Sequence, residues 1–116
     1  MSQDYGSEEK SAEIYGERVP FSGSRPEAKM DIKGKGAYSG LQGENKATTK
    51  DSFSVHIQKL IQKGRKQAIQ MFRKPFWVID FVNYGQAGRI IICEETYWIK
   101  IHEELDELRK KDDPLL

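Results

Sequence analysis

Two rhythms of apolar and polar positions alternate along the chain, and each change of rhythm marks a boundary. In SEEKSAEIY (7–15), Glu8, Ala12 and Tyr15 share one helical face, Ser7 stands where a cap belongs, Glu8 and Glu9 suit the positive end, and Gly16 follows as a stop. The pattern predicts a helix over 7–15. ERVPFSGSRPEAK (17–29) carries two prolines, a glycine and two serines, which predicts an irregular loop leading into extended chain. MDIKGKGAYSGLQGENKAT then reads as two strands, around 29–34 and 40–47, joined by a glycine-rich turn. From Ser52 or Ser54 to Phe72, Val55, Leu60, Ile61, Ala68, Ile69 and Met71 fall at helical spacing, and Gly64 weakens that helix without ending it. Pro75 closes it. FWVIDFVNY and RIIICEE, separated by GQAG, are β-type runs apolar enough to predict two central strands. TYWIKIHEELDELRK (96–110) returns to helical spacing through Trp98, Ile101, Leu105 and Leu108, with acids early and bases late. The predicted order is α, β, β, α, β, β, α. That is an α/β fold with a small mixed sheet flanked by helices, a single domain over 7–110 between a flexible N-terminus (1–6) and a C-terminal tail (111–116).

A length of 116 residues supports one core. No run approaches the roughly 18 apolar residues of a membrane span, and the first twenty are acidic and polar, unlike a secretory signal. The expectation is a cytoplasmic protein with no membrane partner. A single cysteine, Cys93, excludes an internal disulfide framework and any multi-cysteine zinc site; within RIIICEE it reads as a half-buried strand residue in a reducing compartment. His56 and His102 have no partner at metal-ligand spacing.

The net charge of +1 conceals a partition. Residues 1–16 balance at −3 and 90–116 at −4, whereas 17–89 hold fourteen Lys and Arg against six acids, a balance of +8. A basic middle suits a polyanionic partner, although scattered solvated side chains give the same count.

Asp31, Glu44 and Lys46 supply a reason for that charge. Adjacent hairpin strands can bring Asp31 beside Glu44, and two hard carboxylates in close approach repel unless an oxygen-seeking divalent cation lies between them. Lys46, two residues beyond Glu44, leaves the strand on the same face. Such a cation polarises a phosphodiester and acidifies a bound water, and a neighbouring lysine can orient that water or stabilise developing charge. The combination describes phosphodiester hydrolysis. The plainer reading is a surface hairpin with a cross-strand charge pair worth under about 1 kcal/mol.

Taken together, PFSGSRPEAKMDI, GENKATTKDSFSV, the basic amphipathic helix and the FWVIDFV strand resemble the small phage and archaeal Holliday junction resolvases of the PD-(D/E)xK nuclease superfamily, over roughly residues 7–107. The resemblance implies a restriction-endonuclease-like core, a Mg²⁺ cofactor that Mn²⁺ can replace, and nicking of branched or four-way-junction DNA in recombination and repair; two symmetric nicks on opposed strands in turn call for a homodimer. It makes Asp31 and Glu44 the metal ligands and Lys46 the catalytic lysine. A first-helix acid joins the metal, with Glu8 the best match and Glu9 next; a helix-dipole acid is the equal alternative for Glu8. Ser22 and Ser24, with Arg25 and Lys29 behind them, would approach the scissile phosphate, and Ser52 would touch DNA. Given a nuclease, Lys59, Lys63 and Lys66 would contact phosphates rather than decorate a solvated face. Phe76, Trp77, Phe81 and Trp98 fit core or dimer interface better than base-stacking platforms. The interface expected is the Phe76–Val82 strand or the Trp98 helix. Two rivals stand beside this: a nicking, homing or restriction-type endonuclease of the same superfamily, and a nucleic-acid-binding module without catalysis.

Overall fold

The computed structural model describes residues 5–19 and 30–112. In chain order the elements are α1 (Ser7–Tyr15), β1 (Gly16–Arg18), β2 (Ile32–Gly34), a 3-10 turn (Gly36–Tyr38), β3 (Leu41–Thr48), a widened turn (Ile57–Gln62) running into α2 (Lys63–Gln70), β4 (Lys74–Phe81), a second 3-10 segment (Val82–Gly88), β5 (Arg89–Cys93) and α3 (Glu95–Asp112). The strands form one mixed sheet in the order β1-β2-β3-β4-β5. Among the described residues only β3 and β4 pair in parallel, and a parallel pair requires a crossover, which the 57–70 helical segment supplies.

β4 is the centre of the molecule. Its residues from Pro75 to Asp80 are all buried, which accounts for a continuous apolar run where a half-exposed strand would alternate. Ala12, Ile32, Leu41, Phe76 and Val78 pack on the α1 side with Tyr15 and Tyr97 against them. Met30, Leu60, Ala68 and Trp77 pack on the α2 side with Phe53, Ile61 and Ile92. Burying each of the larger side chains stabilises the fold by roughly 1.5–3 kcal/mol.

Several expectations are corrected. Ser7 does not cap α1. Gly6 does, in a left-handed conformation without a side-chain bond, and Ser7 turns inward. Gly16 ends α1 as expected but also opens β1, a strand hidden in the anticipated loop. A side chain at Gly16 would lie 1.9 Å from the Lys33 carbonyl oxygen, so the close pairing with β2 needs glycine. The middle helix begins at Ile57 rather than Ser52 or Ser54. There the Leu60 and Ile61 N–H groups both donate to the His56 carbonyl, at 2.9 and 3.3 Å, which widens the first turn. β5 is an edge strand, not a central one, and leaves Ile90 and Ile91 exposed. Because both faces of β4 are covered, Phe76–Asp80 is not free to form an interface, and only Phe81 and Val82 of the expected Phe76–Val82 stretch are part-exposed; α3, which buries no residue and runs on through Asp112, presents Trp98, Ile99, Leu105 and Leu108 to solvent. No helix among the described residues is long and apolar enough to cross a membrane.

Candidate functional site

The hairpin register builds the site. Ile32 lies opposite Gly43 and Lys33 opposite Gln42, so Asp31, the next residue back along the hairpin, comes beside the Glu44–Asn45 stretch of β3, close enough for its charge to act on Glu44. The Asn45 N–H donates to Asp31 Oδ2 at 3.2 Å and fixes that carboxylate at the strand end. Lys46, on the same face as Glu44, holds Nζ 3.4 Å from Glu44 Oε1. Three residues separated by up to fifteen positions thus form one group.

Its electrostatics follow from where it sits. Burial pushes the Glu44 carboxyl above the usual glutamate range; Lys46 opposes the shift, the negative charge of Asp31 adds to it, and Lys63 of α2 pulls the other way. Glu44 therefore feels all three neighbours, and Lys63 faces the carboxylates from the helix above.

Asp31 and Glu44 are hard oxygen donors of the kind Mg²⁺ or Mn²⁺ takes. Among the described residues no group of three or more His, Cys, Asp or Glu could enclose a metal ion. Two carboxylates still fit Mg²⁺, which keeps several waters and is commonly held by one or two carboxylates together with substrate phosphates. They would not make a calcium cage or a zinc site.

The remaining expected residues fall as follows. Glu8 is half-buried on α1 and accepts a hydrogen bond from Arg18 Nε at 3.1 Å, while Glu9 lies 3.8 Å from Arg18 Nη1. Lys59, Lys63 and Lys66 are exposed at helical spacing on one side of the 57–70 segment, and Ser52 is exposed beyond β3. Ser22, Ser24, Arg25 and Lys29 lie outside the described residues. Cys93 is half-buried, with its thiol pushed up by burial first and by Glu94 second, so it offers no activated nucleophile.

The sheet's other face carries a feature the sequence reading missed. Arg89 Nη1 donates to Asp80 Oδ2 at 2.8 Å, and Arg89 Nη2 donates to Ser11 Oγ. Ser11 Oγ donates to Asn45 Oδ1 at 2.5 Å, Asn45 Nδ2 donates to Ser7 Oγ at 2.8 Å, and Ser7 Oγ donates to Asp80 Oδ2 at 2.6 Å. The ring closes under α1 with the Arg89 and Asp80 side chains only 6% and 11% exposed. The available signals were polar residues in apolar company: Asp80 inside FWVIDFV and the serines facing inward on α1.

Comparison with protein-family models, curated proteins and solved structures finds no match to this chain.

Proposed function

We propose that this protein is a metal-dependent DNA endonuclease of the restriction-endonuclease-like type, and that its substrate is a branched duplex such as a four-way junction. The observation that carries the reading is the grouping of Asp31, Glu44 and Lys46: two neighbouring carboxylates, one with its acidity weakened by burial and by the other's charge, and a lysine alongside. The sheet supports it too, with an antiparallel hairpin joined to a parallel β3–β4 pair and a basic helical segment over the site.

In this reading Asp31 and Glu44 hold Mg²⁺ or Mn²⁺, which supplies Lewis-acid stabilisation of the phosphodiester and a more acidic water. Lys46 donates hydrogen bonds to the attacking water or to the phosphoryl oxygens as negative charge grows there. Lys63 adds positive charge from the opposite wall, and Lys59 and Lys66 bind flanking phosphates. The water oxygen bonds to phosphorus and gives up a proton to solvent, one ester P–O bond breaks, and the departing sugar oxygen takes a proton from solvent.

Paired nicks on opposed strands need two sites at fixed separation, which a two-fold dimer provides. The exposed Ile90 and Ile91 of the β5 edge and the apolar side of α3 favour those elements as its interface. The cytoplasm of a bacterial, archaeal or phage-infected cell is the setting that fits such an enzyme.

The test is substitution with separate readouts of binding and cleavage. Asp31→Asn and Glu44→Gln should leave junction binding within a fewfold of wild type and abolish cleavage. Retained cleavage would remove both carboxylates from the chemistry. Cleavage of linear duplex in preference to junctions would favour a sequence-preferring endonuclease, and binding without any metal-dependent cleavage would favour a non-catalytic module.

A further inference from the structure

The residue between Glu44 and Lys46 faces away from the candidate site and is hydrogen-bonded at both ends of its side chain. Asn45 is buried, accepts from Ser11 through Oδ1 and donates to Ser7 through Nδ2. Both serines belong to α1 and lie one helical turn apart, so the amide is clamped at both ends by one rigid element. Its backbone N–H, meanwhile, is the donor to Asp31 Oδ2.

The ring has only one consistent proton arrangement. Arg89 can only donate and ionised Asp80 can only accept. Ser11 receives from Arg89 and passes its single proton to Asn45; Asn45 passes one to Ser7; Ser7 passes its single proton to Asp80. Each link fixes the next, and only an amide, with an acceptor at one end and a donor at the other, completes the ring at position 45.

We infer that the Arg89–Ser11–Asn45–Ser7–Asp80 ring is the positioning device of the carboxylate pair, with Asn45 as the positioning residue that sets β3 and aims its own N–H at Asp31. This rests on the metal-site reading above. Asn45 touches neither substrate nor metal; it acts through Asp31 and through the strand that carries Glu44 and Lys46. Such outer partners of a metal site govern ligand orientation, and their loss typically lowers metal affinity by about 10–100-fold.

Asn45→Asp tests the proton order with almost no change of shape. It keeps the backbone N–H and the acceptor facing Ser11, but opposes a second acceptor to Ser7 Oγ, whose one proton already goes to Asp80. Ser11→Ala removes a link without adding charge. Ala68→Gly, in the other core cluster, lowers stability without touching the ring. Mn²⁺ affinity would be measured by calorimetry without DNA, well below each unfolding midpoint, together with exchange of the Asn45 amide hydrogen in metal-free protein. The expected result is at least a tenfold weaker Mn²⁺ affinity and a faster-exchanging Asn45 amide in both ring variants, with Ala68→Gly within twofold of wild type. Ring variants that bind Mn²⁺ within twofold of wild type, or a control that loses as much as they do, overturn the positioning role and leave the metal site standing. A wild-type protein that binds no Mn²⁺ and cleaves no DNA overturns both.

Discussion

Gly64 measures how tightly the helix above the candidate site is fitted to the sheet. It is buried at the start of α2, and a Cβ there would stand 2.9 Å from Cζ2 and Nε1 of Trp77 and 3.1 Å from Cε of Met30. Met30 Cε is the end of a flexible side chain and can yield. The Trp77 ring is fully buried and rigid, and it lies beside Glu44 in the β3–β4 register. Overpacking of this kind costs about 1–3 kcal/mol, and the rigid neighbour puts Gly64→Ala in the upper half of that range. Alanine's better helix propensity returns about 1 kcal/mol. The net loss is about 1–2 kcal/mol, equivalent to roughly a 4–8 °C lower Tm for a chain of this size. Gly40→Ala is the matched control, since nothing lies within 4 Å of its Cβ and its φ lies outside the left-handed range; it should leave Tm unchanged or slightly raised. Thermal unfolding of the two variants decides the matter. A Gly64→Ala protein as stable as wild type would mean that α2 does not rest on Trp77 as described.

Four further outcomes follow from the same geometry. Arg89→Ala should cost about 3–5 kcal/mol by leaving Asp80 buried without its ion pair, whereas Arg89→Met combined with Asp80→Leu should cost much less than the two single changes together; additive losses in urea titrations would contradict a coupled pair. Phe72 adopts φ 57° and is 97% exposed, so Phe72→Gly should gain about 1 kcal/mol by relieving left-handed strain, and a lowered Tm would show that the ring packs in the free protein. Glu44 has a raised pKa when folded, so its contribution to stability is fullest below the unfolded glutamate pKa and is lost as pH rises through the folded value. Metal-free Glu44→Gln should therefore melt above wild type at neutral pH and lose that advantage in acid, while wild-type Mn²⁺ affinity should fall on acidification at a pH above the usual glutamate range; the opposite ordering of melting points would refute the burial argument. Replacing Lys59 and Lys63 should lower the log–log salt slope of DNA binding by about 0.9 for each lost phosphate contact, and an unaltered slope would return them to solvated surface.

The parts of the fold that could be read from sequence were those set by local periodicity. α1 ends where Gly16 stops it, β3 follows the glycine-rich turn, β4 emerges from its apolar run, and α3 follows its spacing and charge order. The Asp31, Glu44 and Lys46 group was legible because a strand's two-residue period and a short hairpin determine which side chains can meet. What escaped was non-local. β1 is three residues long and has no pattern of its own; it exists because β2 offers an edge. β5 looks as apolar as β4, but composition does not say which strand lies outermost, and as the edge strand β5 leaves Ile90 and Ile91 exposed. Ser7 shows the limit most clearly. Its position suits a helix cap, and the structure spends its hydroxyl on Asp80, seventy-three residues away, because a buried carboxylate needs that proton more than a solvent-accessible helix end does.

Incubating the wild-type protein with an end-labelled four-way junction in Mg²⁺, in Mn²⁺ and in EDTA tests the central claim most directly. Paired, symmetric nicks that appear with either metal and vanish in EDTA are the predicted result. An intact junction in both metals, at protein concentrations where it is fully bound, would contradict it.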